Sequence, residues 1–215
     1  MRSSRPKPLH LLCGRAMLLY VLDALHGCEL QRVVVVVGHG AERVTKKLRE
    51  EEPDLHLDFV EQSVQRGTGD AVSVGITAFP DDELDLGDGD LLVLPGDTPL
   101  LRASTVAALV AQHRASDGRV ARVVEQSDAT DDEAEINEIS TSIYCFRASV
   151  LAPALRRLSP ENAQGEYYLT DVVEVLHDAG YGVTSLVVDD PVETQGVNDR
   201  VQLARAEAEL RHRTN

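Results

Sequence analysis

A chain of 215 residues has room for one α/β domain with a real core. Its 36 acidic residues against 21 basic ones give a net charge of −15, which argues against nucleic acid or an anionic membrane as partner. Any phosphate-bearing ligand must therefore be held by local groups: a metal ion, a few cations and backbone N–H groups. Cys13, Cys28 and Cys145 show no CxxC or zinc-like spacing and, each beside apolar residues, read as reduced core or near-core thiols, which points to the cytoplasm. No apolar run suits a signal-peptide core or a membrane span.

In chain order, Met17, Val21, Ala24 and Leu25 recur at helical spacing up to Gly27, a glycine suited to end a helix. Five consecutive valines, Val33 to Val37, predict a strand buried on both faces, ended by Gly38-His39-Gly40. Ala41 to Glu51 reads as a helix with Val44 and Leu48 inward and Pro53 beyond its end. Leu55 to Val60 alternates as a strand does. The polar loop Glu61 to Gly69 leads into a helix over Asp70 to Ala78, followed by an acidic surface loop, Asp81 to Asp90. Leu91 to Pro95 predicts a second buried strand, and Ser104 caps a helix reaching about His113. Further on, Arg119 to Val124 and Ile139 to Phe146 read as strands around the acidic loop Gln126 to Glu135. Tyr167 to Ala179 reads as a helix, Val183 to Val188 as a strand, and Val197 to His212 as a long charged helix. This β/α alternation with short connections predicts an α/β fold, a doubly wound and mostly parallel Rossmann-like sheet, in one domain over residues 1–215.

The strand at Leu91 runs through Pro95-Gly96 into Asp97. Ligands of such sheets gather at the carboxyl ends of the strands. A carboxylate there is placed to hold a metal ion on a phosphate, or simply to form the turn before Thr98-Pro99. In Gln62-Ser-Val-Gln65-Arg66-Gly67-Thr68-Gly69, two glycines and a capping threonine join strand to helix. Backbone N–H groups at such a start bind anions or the edge of a flat heterocycle, and the Gln62 amide matches a pyrimidine imide as donor and acceptor. Two prolines stiffen the chain around Lys7, a phosphate-binding cation or part of a solvated tail. Asn162 to Asp171 combines polar side chains with Tyr167 and Tyr168 at a helix start, suited to a sugar or to a plain cap. Asn198 is an N-cap or a metal ligand. The histidines form no HExxH pattern and no GxSxG turn exists, which excludes the common zinc and serine hydrolase signatures.

Several stretches stand in a recognisable order: Pro6-Lys7-Pro8-Leu9-His10, Gly14-Arg15-Ala16-Met17, Gly38-His39-Gly40, and Glu61-Gln62 with Gln65-Arg66-Gly67-Thr68-Gly69. Pro95-Gly96-Asp97-Thr98-Pro99-Leu100, Asp128-Ala129-Thr130, Asn162 to Asp171 and Gly196-Val197-Asn198 follow. Together they resemble the uridyltransferase domain of bifunctional N-acetylglucosamine-1-phosphate uridyltransferases, in the sugar-nucleotide pyrophosphorylase superfamily. The resemblance implies a Mg²⁺-dependent transfer of UMP from UTP to N-acetylglucosamine 1-phosphate, giving UDP-N-acetylglucosamine and pyrophosphate. It implies Mg²⁺ on Asp97 and Asn198, nucleotide phosphates on Lys7, and a nucleotide site at Gln62, Gly67, Thr68 and Gly96. It implies a sugar site at Glu125, Ser140, Tyr168, Thr170 and Asn198.

The chain departs from that family in four places. The family opens with a buried strand and a Gly-rich phosphate loop, and Met1-Arg-Ser-Ser aligns with the end of that loop. The expectation is that strands 33–37 and 91–95 lack a shared neighbour, as a mis-set start codon would produce. A strand and a Tyr-Gly-Arg loop have no counterpart between Ala115 and Ser116. Ser140 replaces a sugar-binding Asn. The chain ends at Asn215, where the family continues into a β-helix acetyltransferase domain. These departures predict impaired turnover. They leave open a non-catalytic nucleotide- or partner-binding remnant, and a pyrophosphorylase for another sugar phosphate.

Overall fold

The computed structural model describes residues 5–52, 55–80, 89–115 and 120–214. Pro53, most of the acidic stretch 81–90, the positions 116–119 and the first four residues, all read above, lie outside the described residues.

Pro6 and Pro8 set the backbone of a short 3-10 turn, Lys7–Leu9. A tiny hairpin follows, β1 (Leu11–Leu12) and β2 (Arg15–Ala16), turned through Cys13 and Gly14 at φ 48° and 86°. Helix α1 (Met17–Asp23) comes next. Met17, Leu18, Leu19, Val21 and Leu22 are all buried, so α1 is covered around most of its circumference. Strands β3 (Val33–Val37) and β4 (Leu57–Glu61) pair in parallel, Val33 opposite Leu57 and Val37 opposite Glu61. Helix α2 (Ala41–Glu51) makes the crossover between them, with Val44 and Leu48 buried as their spacing predicts. Helix α3 (Thr68–Ile76), strand β5 (Asp90–Val93) and helix α4 (Ala103–Ala115) continue the alternation. A single-turn helix α5 (Asp131–Ala134) precedes β6 (Tyr144–Arg147), which runs antiparallel to β5. Helices α6 (Ala148–Leu155), α7 (Asp171–Asp178) and α8 (Arg200–Thr214) complete the described chain.

The strands lie between two apolar layers. On one face Val33, Val35, Leu92 and Leu94 pack against Leu18, Leu22 and Val106. On the other, Leu91, Val93 and Phe146 pack against Leu151, Leu155, Val172 and Leu176. Burial of side chains of this size is worth about 1.5–3 kcal/mol each. A third cluster, Leu12, Met17, Leu100, Val197 and Ala206, ties the N-terminal hairpin to α8. That cluster brings the two ends of the described chain together beside Asp97.

Several expectations are corrected. Val33 to Val37 and Leu91 to Pro95 are half-buried apart from Val37, rather than enclosed on both faces. Among the described residues β3 pairs only with β4 and β5 only with β6, so each keeps one unpaired edge. Residues 120–124 and 183–188 form no extended strand; Val183 makes only an isolated bridge, and the Val120 N–H donates to Val183 O at 2.8 Å. An alternating pattern makes a strand only where a partner edge is available, and among the described residues 120–124 form no ladder. Helix α7 starts at Asp171 rather than Tyr167, because the backbone of 166–169 bonds to another loop. Helix α6, which holds Pro153, had no counterpart in the sequence reading. Among the described residues no helix is long and apolar enough to cross a membrane.

Candidate active site

Lys7 is held in place by the 3-10 turn, and its ammonium forms an ion pair with Asp97. The same Nζ donates to Asn198 Oδ1 at 2.6 Å. Asp97 follows β5, and its carbonyl accepts the Val197 N–H at 2.8 Å, which seats the Gly196-Val197-Asn198 turn against it. Gly196 is close enough that a Cβ there would stand 3.5 Å from Asp97 Oδ1 and 3.7 Å from Asn198 Nδ2. On the other side of Asp97, a Cβ on Gly96 would meet Leu18 at 3.3 Å, so a small residue lets the β5 turn close onto α1. Three stretches far apart in sequence therefore converge on one ammonium. A carboxylate and an amide oxygen around a bound cationic group are hard oxygen donors, a set that fits a divalent ion such as Mg²⁺.

The loop before α3 and the loop before α7 are stitched together. The Tyr167 N–H donates to Arg66 O and the Gly69 N–H to Tyr167 O, both at 2.8 Å. Thr68 Oγ1 accepts the Leu169 N–H at 3.0 Å. Gly67 adopts φ 105°, and a Cβ there would stand 2.6 Å from Tyr167 O. Only glycine meets both demands. Gln62 donates its amide nitrogen to Asp70 at 2.7 Å and to Gly67 O at 3.3 Å. Both amide hydrogens are thus engaged within the protein, and reading a pyrimidine edge requires one of them to let go. Thr68 itself is exposed at the mouth of this loop.

Glu125 accepts from the buried Thr170 hydroxyl at 3.0 Å. Asp128 accepts the Ala163 N–H at 2.8 Å and the Tyr168 hydroxyl at 3.3 Å. These bonds anchor the segment after residue 124 onto the 162–170 loop. Asn162 organises that loop from within, accepting the Gln164 and Glu166 N–H groups at 3.2 Å and donating to Glu166 O at 2.5 Å. The backbone bond from Ala163 holds Asp128 below the usual carboxylate range. Burial raises Asp171, and the neighbouring Glu174, Glu125 and Asp128 raise it further. Burial likewise pushes the Tyr144 phenol up, with Glu125 and Asp171 adding to the effect. The result is a cluster rich in acceptors, the chemical complement of a ligand rich in hydroxyl donors. Ser140 is exposed and lies 3.2 Å from the Tyr144 hydroxyl, at the rim of this group.

The residues singled out in the sequence thus fall into three clusters: Lys7, Asp97 and Asn198; Gln62, Gly67 and Thr68; Glu125, Tyr168, Thr170 and Ser140. The last two clusters share the 166–170 loop. Asp70, Asp128, Tyr144 and Asp171 were missed as site residues. Asp70 carried a signal, since a carboxylate in the first turn of the predicted helix lies within reach of the loop before it. Tyr144 carried none, because its place depends on which strand β6 pairs with.

Comparisons with known proteins place the chain in a family. Residues 1–180 match the family model described as the MobA-like NTP transferase domain. The chain is 41% identical over 239 aligned positions to the bifunctional protein GlmU of Mycobacterium avium, covering 99% of this chain and 48% of that protein. Against GlmU of Thermobifida fusca it is 40% identical, with 96% and 47% covered. Against GlmU of Brevibacillus brevis it is also 40% identical, with 99% and 49% covered. The chain spans about half the length of these curated relatives. In structure it resembles a 4-diphosphocytidyl-2C-methyl-D-erythritol synthase, with TM-score 0.63, 20% identity and 95% of each chain covered. The corresponding synthase of Anaerococcus prevotii gives TM-score 0.67 at 15% identity, with 97% of this chain and 93% of that one covered. Likeness at such low identity speaks to the fold, and the fold is that of an α/β nucleotidyltransferase. The matched model covers every element from the Lys7 turn through α7, and on that basis the chain belongs to the MobA-like NTP transferase family.

Proposed function

We propose that this chain is a uridyltransferase module that transfers UMP from UTP to N-acetylglucosamine 1-phosphate, as one domain over residues 1–215 in the cytoplasm. The observation that best supports the reading is the convergence of Lys7, Asp97 and Asn198 on one cation position. In this reading an oxygen of the sugar phosphate attacks the α-phosphorus of UTP, and pyrophosphate leaves. Asp97 and Asn198 hold a Mg²⁺ ion, which when bound would offset charge on the phosphates. Lys7 swings from the two oxygen ligands to the nucleotide phosphates and offers them a point charge. Gln62, the Gly67 backbone and Thr68 read the uracil, and Gly96 lets the β5 turn approach the nucleotide. Glu125, Thr170, Tyr168, Ser140 and Asn198 take the sugar hydroxyls and amide. No covalent enzyme intermediate is needed, so catalysis is positioning plus electrostatics.

The test is pyrophosphate release by the purified chain with UTP, N-acetylglucosamine 1-phosphate and Mg²⁺. Turnover with this pair, and not with CTP or with other sugar phosphates, supports the reading. A second reading, a nucleotide-sugar-binding protein without turnover, is favoured by the short Ser140 side chain at the rim of the acceptor-rich group. It predicts calorimetric binding of UDP-N-acetylglucosamine with no pyrophosphate released. Absence of both binding and turnover sinks the two readings together.

A further inference from the structure

The register of the β5–β6 pair sets Asp90 opposite Arg147 and Leu92 opposite Cys145. Residues two apart on a strand share a face. Asp90 and Cys145 are therefore diagonal neighbours on the face covered by α4, whose last turn carries His113 and Arg114. The ligand atoms of Asp90, His113 and Cys145 lie within 4.8 Å of one another, and among the described residues this is the only such group of three.

The fine geometry also matters. His113 Nε2 is shut off from solvent and makes no hydrogen bond. A buried nitrogen in that state is destabilising unless something meets its lone pair. It lies 3.3 Å from Asp90 Oδ1. Two ligands of one tetrahedral zinc, each ~2.0–2.2 Å from the metal, stand about 3.4 Å apart. The other carboxylate oxygen, Asp90 Oδ2, accepts from Arg114 Nε at 2.6 Å. That bond orients the carboxylate and leaves Oδ1 to the cluster, as outer partners do for metal ligands.

We infer that Asp90, His113 and Cys145 form a binding site for a borderline divalent cation of the zinc class, with water as the fourth ligand. A thiolate and an imidazole beside one carboxylate suit zinc and disfavour Mg²⁺ or Ca²⁺, which prefer oxygen alone. Binding exchanges the Cys145 thiol proton for the metal and releases that proton to solvent. The site opens β5, whereas Asp97 follows its far end, on the order of 20 Å along extended chain. It is therefore separate from the Lys7–Asp97–Asn198 group. Its effect would be to clamp α4 to the β5–β6 pair.

Cobalt titration of the full 215-residue chain tests the site. One equivalent of Co²⁺ is expected to give thiolate-to-cobalt charge-transfer absorption, removed by added Zn²⁺. Cys145→Ser abolishes the band, His113→Ala weakens the Co²⁺ binding that the band reports by at least about tenfold, and Asp97→Asn leaves the band unchanged. Circular dichroism on each variant separates loss of a ligand from loss of the fold. A wild-type chain with no charge-transfer band would mean a plain Asp90–His113 ion pair and would overturn the proposal. So would a band that survives in folded Cys145→Ser.

Discussion

Lys7 Nζ donates to Asn198 Oδ1 at 2.6 Å, although 191 residues separate them, and the same ammonium is paired with Asp97. In the proposed reading both oxygens would hold a metal ion. Metal entry and release of Lys7 toward a phosphate would then be one exchange, since the two cations would compete for the same oxygens.

Lys7→Ala is expected to bind Mn²⁺ more tightly than the wild type when no nucleotide is present, read by electron paramagnetic resonance of the free ion. The same variant should lose about 10²–10³ in kcat, the usual effect of deleting one charge-stabilising donor. Weaker Mn²⁺ binding in Lys7→Ala would show that the ammonium supports the metal position instead of competing for it.

Gly67→Ala places a methyl group 2.6 Å from Tyr167 O, at a φ of 105° that side chains avoid. The expected loss of stability is about 1–3 kcal/mol, the ordinary cost of such backbone strain. Urea unfolding measures it. A midpoint unchanged from wild type would mean that the 66–69 and 166–169 loops part without penalty.

Glu125→Gln keeps the size of the side chain and the acceptor facing Thr170, but removes the charge. The KM for the sugar phosphate should rise roughly tenfold, the weight of one charge-assisted hydrogen bond, with the KM for UTP unchanged. An equal rise in both would place Glu125 in the nucleotide site.

Asp128 titrates below its ordinary 3.8 in the folded chain because of the Ala163 N–H. Its contribution to stability is complete above that value and fades as pH falls through the lower folded value, where the folded carboxylate is protonated too. Asp128→Asn should therefore flatten the acid limb of stability below its ordinary 3.8, as followed by urea midpoints. An acid limb as steep as that of the wild type would assign it to other carboxylates.

Burial pushes the Cys145 thiol up to about 12. At pH 8 its thiolate fraction is about 10⁻⁴, so alkylation of the folded metal-free chain should be confined to other cysteines, exposed Cys13 first. Peptide mapping after iodoacetamide treatment checks this. Rapid labelling of Cys145 in the folded chain would contradict its burial.

Sequence patterns that act over a few residues were legible without coordinates. The 3.6-residue spacing in α2 predicted which side chains face inward, and the valine run predicted β3. The ordered motifs singled out Lys7, Asp97, Asn198 and the Gly67-Thr68 loop. Tertiary structure decided the rest, because it depends on which groups meet. The alternating segment 120–124 looked like a strand and forms no ladder among the described residues, while the Pro-containing segment 148–155 became a helix against Leu169 and Leu176. The valines of β3 are half-buried, with β4 as their pairing neighbour among the described residues. That Lys7 occupies the oxygens of Asp97 and Asn198, and that Asp90, His113 and Cys145 share one face, are likewise facts of register and packing. Spacing along the chain determines the local hydrogen bonds. Contacts between residues more than a hundred positions apart are set by which apolar faces the whole chain can bury at once.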